Sequence, residues 1–108
     1  MQHWLFLAAA ILLEVAGTTS MKLSGGFARL VPSILIFVFY AASFSALTLA
    51  LKKIEVSVAY AIWSGVGTVL ISLIGFLYFH EPASALKVAS ILLIVVGVVG
   101  LHLASGAT

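Results

Sequence analysis

The sequence predicts an all-α membrane protein with four transmembrane helices per chain. Three observations carry that prediction. Of 108 residues, 64% are hydrophobic and only 7% are charged, where a water-soluble domain usually carries about 25% charged residues. The mean hydropathy is +1.32. Apart from Glu14, the charges punctuate the chain at Lys22 and Arg29, at Lys52, Lys53 and Glu55, and at Glu81 and Lys87. The apolar runs between them are long enough to cross ~30 Å of hydrocarbon.

The first run covers residues 3–21. It has no basic leader, and Glu14 interrupts it where the apolar core of a signal peptide would continue. It is therefore expected to be a permanent span. Gly25 and Gly26 stop it and permit a tight reversal. Pro32 lies near the start of the second span, 31–51, where its missing N–H costs nothing. The third span, 56–79, is uncharged and is expected to end at His80-Glu81-Pro82, because the residue before a proline resists helix. The fourth, 84–104, carries Lys87 in its first turns, and residues 105–108 form a short tail.

A single four-helix domain, 1–108, thus accounts for the whole chain and leaves no room for a soluble enzyme or DNA-binding module. The absence of Cys excludes disulfides and thiolate metal sites. A pI near 9.2 comes from cations with no cluster larger than Lys52-Lys53, which suit lipid headgroups better than nucleic acid. Four spans place both termini on one side. Lys52 and Lys53 then oppose Lys22, Arg29 and Lys87, a balance so close that insertion in both orientations and a slim preference for one are about equally expected.

Chemistry centres on Glu14, the one carboxylate near the middle of a span. A charge at that depth needs a partner or a purpose. No Lys, Arg or His lies within the apolar part of another span, and Lys22, ~12 Å further along the helix axis, is expected to snorkel to the headgroups. The counter-ion is then a proton, or a cation that displaces it. Ala10, Ile11, Gly17 and Thr18 share the face of Glu14, and the small ones leave space beside the carboxyl. Removal from water favours the protonated form of any carboxyl. The alternative is a protonated Glu14 that merely ties helices together.

Tyr40, Tyr60 and Trp63 lie too deep for an interfacial belt, unlike Trp4 and Tyr78. Tyr60, Trp63 and Gly67 share a face. Taken singly, each aromatic is as consistent with packing as with function; taken with Glu14, they suit an organic cation through cation–π contacts. Gly65 and Gly67 allow either a hinge or close packing. Ala83, Ser90, Gly97 and Ala104 recur every seven residues and read as an association face. Four helices this short hardly enclose a bulky ligand alone, which favours at least a dimer. His3, His80 and His102 fall at span ends and form no metal-site spacing. No catalytic set of side chains is present, so neither enzyme activity nor a cofactor is expected.

The motifs Glu14-Val-Ala-Gly-Thr-Thr, Met21-Lys22, Gly26-Phe27, Arg29, Pro32-Ser33 and Tyr60-Ala-Ile-Trp-Ser-Gly-Val-Gly67 resemble those of the small multidrug resistance transporters, over nearly the whole chain. The resemblance implies a bacterial inner-membrane antiporter that exchanges protons for cations as an antiparallel homodimer. Two copies of Glu14 would share one site and bind proton and substrate alternately. Tyr40, Tyr60 and Trp63 would line it, with Ser43 and Ser64 as polar neighbours, and the fourth span would form much of the dimer contact. Ala10, Gly17 and Thr18, on the face of Glu14, are expected as further secondary lining, and Ser90, Gly97 and Ala104 of the small-residue stripe as the contact positions. The guanidinium-exporting branch typically carries Trp three residues after the membrane Glu. Gly17 stands there in this chain, and the roomier site it implies favours the branch exporting aromatic and quaternary ammonium cations. Guanidinium export and a non-transporting membrane subunit are the alternatives, and some relatives require a second, different chain.

Overall fold

The computed structural model describes residues 2–104, and the tail 105–108 lies outside them. They form α1 (Gln2–Leu23), α2 (Leu30–Ala50), α3 (Val56–Leu77) and α4 (Ala85–Ala104). Each is long and apolar enough to cross a membrane. The helix starts and ends fall within two residues of those expected from the charge punctuation.

The end of α3 differs for a reason in the backbone. The N–H groups of Tyr78 and Phe79 both donate to Ile74 O, at 2.8 and 3.3 Å. His80 takes a left-handed φ of 56°, and Glu81 N–H returns to Gly75 O at 2.9 Å. The helix thus stops at Leu77, before Pro82 acts on it.

The chain divides into two compact units, Met1–Ile54 and Glu55–Thr108. In the first, α1 packs on α2 along a seam of small residues. Ala10, Gly17 and Ser20 of α1 and Ser43 and Ala50 of α2 are buried there, beside Leu7, Ile11, Val15 and Ile36. Small residues let two helices approach closely where lipid offers no hydrophobic driving force. Ser43 Oγ donates to Ala10 O at 2.6 Å across the seam. The connecting turn is left-handed at Gly25, Gly26 and Phe27 (φ 59°, 70° and 70°). Glycine adopts that region without strain, whereas Phe27 does so at a cost. Ser24 Oγ braces the turn, accepting from Phe27 N–H at 3.2 Å and donating to Met21 O at 2.8 Å. Arg29 Nη1 donates to Leu23 O at 2.8 Å, so a cation closes the carbonyl end of α1, as the helix dipole favours.

In the second unit α3 packs on α4. Gly65 faces Val98 and Ile94, and a Cβ at Gly65 would run into Val98 Cγ2. Ser84 caps α4, its Oγ accepting from Lys87 N–H at 3.1 Å, and Lys87 Nζ donates to Pro82 O at 2.9 Å. None of the residues of α4 is buried.

Candidate functional site

Glu14 lies about 18 Å along the axis from the start of α1 and about 14 Å from its end, so both termini of the helix are far from it. Thr18 follows one turn later on the same face. Its Oγ1 donates to Glu14 Oε1 at 2.8 Å. The same Oγ1 lies 2.6 Å from Tyr40 OH on α2, a pair in which either oxygen can donate. Tyr40 OH is in turn within reach of Met21 Sδ, at 3.6 Å. Glu14, Thr18 and Tyr40 are each half-buried. The Glu14 carboxyl therefore meets a neutral hydroxyl.

Gly17 explains how Tyr40 reaches that position. A Cβ at Gly17 would lie 3.1 Å from both Cδ1 and Cε1 of Tyr40 and 3.4 Å from Phe39 Cβ. The phenol ring thus rests on the bare backbone of α1, and Phe44 stacks on it with centroids 6.0 Å apart. The space expected beside Glu14 at Gly17 is occupied by Tyr40 itself. Ala10 and Ser43 are spent on each other inside the α1–α2 seam, both fully buried.

The second unit holds the other aromatic pair. Tyr60 and Trp63 lie one turn apart on α3 with ring centroids 5.3 Å apart and planes inclined at 55°. Tyr60 is 59% exposed, Trp63 is half-buried and Ser64 is exposed. Gly65 and Gly67 are buried, and α3 runs through both without a break. On α4, Ser90, Gly97 and Ala104 are exposed, and a Cβ at Gly97 would meet nothing.

The expected site residues thus fall into two clusters, one per unit. Glu14, Thr18 and Tyr40 are brought together across α1 and α2, while Tyr60 and Trp63 are neighbours on α3. Sequence reasoning missed Met21 as a member of the first cluster. The signal was present: Met21 stands three residues after Thr18 and seven after Glu14, which puts all three on one face.

Residues 2–94 match the family model described as Small Multidrug Resistance protein. The chain belongs to the small multidrug resistance family. It is 60% identical over 101 residues to the Uncharacterized membrane protein YvaE of Bacillus subtilis (strain 168), covering 94% of this chain and 85% of that one. It is 44% identical over 108 residues to the Multidrug transporter EmrE of Escherichia coli (strain K12), covering 100% and 98%. It is 42% identical over 102 residues to the Guanidinium exporter of Yersinia pseudotuberculosis, covering 94% and 98%. Membership in the small multidrug resistance family makes the chain a multi-pass bacterial membrane protein of a transporter family for small cations, and not an enzyme.

Proposed function

We propose that this small multidrug resistance protein is a proton-coupled antiporter exporting lipophilic, aromatic and quaternary ammonium cations, with proton and drug competing for Glu14. The observation that carries the reading is a carboxyl deep in a membrane-length helix whose hydrogen-bond partner is a neutral hydroxyl. An ionised carboxylate there is costly, so a proton or a positive cargo neutralises it. A lipophilic cation has little hydration to lose and gains ~2 kcal/mol per desolvated contact with an aromatic face. Tyr40, Tyr60 and Trp63 supply such faces, and Ser64 a polar neighbour.

In this reading two copies pair antiparallel, the four spans of each acting as one domain, with Ser90, Gly97 and Ala104 of the exposed α4 at the contact. The near-equal cation counts of the loops support insertion in both orientations. Bending at Gly65 and Gly67 then exchanges the open face, which happens when the site is loaded and is disfavoured when it is empty.

Guanidinium export is the second reading, favoured by the Yersinia relative at similar identity. Against it stands Gly17, at the position where the guanidinium-exporting branch typically carries Trp, although the room expected there is taken up by Tyr40. The test uses proteoliposomes containing this chain alone, with an imposed pH gradient and a panel of cations. Gradient-driven uptake of tetraphenylphosphonium and of a quaternary ammonium ion, abolished by Glu14→Gln, is the expected result. Transport of guanidinium alone would select the second reading, and no uptake of any cation would overturn both.

A further inference from the structure

We infer that Thr18, Tyr40 and Met21 form a hydrogen-bond chain that is complete only when Glu14 carries its proton, making Met21 a positioning residue for proton loading. The inference rests on the proposed competition at Glu14 and follows from counting hydrogens. Three links lie in series: Glu14 Oε1 to Thr18 Oγ1 at 2.8 Å, Thr18 Oγ1 to Tyr40 OH at 2.6 Å, and Tyr40 OH to Met21 Sδ at 3.6 Å. Each link needs one hydrogen. Thr18 and Tyr40 bring one each, and a thioether sulfur brings none.

With Glu14 ionised, its carboxylate accepts only, so Thr18 donates to Glu14 and Tyr40 donates to Thr18. No hydrogen is left for Met21. With a proton on Oε1, the direction reverses: Glu14 donates to Thr18, Thr18 to Tyr40, and Tyr40 to Met21. Only the carboxyl O–H bond is made or broken; the two hydroxyls simply rotate. The protonation state is thus reported from the middle of α1 to a thioether two turns further on. The phenol, which rests on Gly17 and touches the proposed drug site, changes donor direction as it does so.

Other charges do not supply this link. Tyr40 is the one titratable residue on α2, the element packed against α1 in this unit, and on α1 the others are His3 and Lys22 near its ends. Arg29, in the turn, is bound to Leu23 O.

The Tyr40–Met21 bond is made only in the protonated arrangement, so deleting its acceptor removes a contact from that arrangement alone. Met21→Leu, which keeps volume and removes the acceptor, should move the half-point of tetraphenylphosphonium binding to lower pH by about half a pH unit. The measurement is binding to the purified full chain from acid to alkaline pH, for wild type, Met21→Leu, Thr18→Val, Thr18→Ser, and each Thr18 variant combined with Met21→Leu. The Met21 effect should vanish in Thr18→Val, where the link is cut, and return in Thr18→Ser, where a hydroxyl is restored. A half-point unmoved by Met21→Leu, in a wild type whose binding does depend on pH, overturns the relay alone. An equal shift in the Thr18→Val background assigns Met21 to packing and also overturns it. Wild-type binding that is flat with pH overturns both the relay and the competition beneath it.

Discussion

Gly17 sets how close Tyr40 comes to Thr18, and replacing it opposes two effects of similar size. Alanine in a helix interior is favoured over glycine by about 1 kcal/mol. A Cβ 3.1 Å from two ring carbons of Tyr40 overfills the seam, at ~1–3 kcal/mol when nothing moves. Tyr40 is only half-buried, so the expected response is an outward swing of the phenol at the cost of its bond to Thr18. Gly17→Ala should therefore change thermal unfolding in detergent by little, while tetraphenylphosphonium affinity falls about fivefold, roughly 1 kcal/mol, as Tyr40 leaves Thr18. Isothermal titration and a melting curve on the same sample check the split. At this scale the sequence was informative about chemistry and poor about geometry. Glu14 announces itself because a lone acid in an apolar run is costly unless something neutralises it, and Thr18 follows from its spacing. That the gap at Gly17 is filled from α2 is invisible, because helix periodicity places residues on faces and says nothing of which ring on a neighbouring helix lies across them.

The helices themselves were legible because charge and hydropathy mark where a chain leaves hydrocarbon. Their ends were legible only where that signal coincides with the backbone. Tyr78 and Phe79 continue the apolar run past Leu77, while His80 turns left-handed and draws Glu81 N–H back to Gly75. Hydropathy does not register that turn. The glycines of α3 admitted either bending or close packing, and Gly65 meets Val98 of α4 with no room for a Cβ. Val98 is short and β-branched, so it yields poorly. Gly65→Ala should destabilise the α3–α4 pairing by ~1–3 kcal/mol, and Val98→Ala should restore part of the loss in the double variant. Denaturation of the three variants tests this; a Gly65→Ala protein as stable as wild type would show that α4 simply shifts aside.

For the molecule as a whole, the proposed antiparallel pairing depends on the balance between Lys52 and Lys53 on one face and Lys22, Arg29 and Lys87 on the other. Lys52→Ser with Lys53→Ser leaves none against three. Single-cysteine probes in the loops should label wild type from both sides of the membrane and the double variant from one. That variant should lose transport alone and recover it when co-expressed with a chain biased the opposite way. In the proposed pairing the contact falls on α4, which buries none of its residues and is bare at Gly97 and Gly100, where a Cβ would meet nothing. Acyl tails solvate an aliphatic rod as readily as another helix does, so apolarity by itself does not drive two copies together. Association must come from surface fit and from the elastic cost of matching a 20-residue helix to the bilayer around it. Dimer dissociation should thus respond to phospholipid tail length and stay nearly indifferent to ionic strength, the opposite of what pairing through charged loops would give.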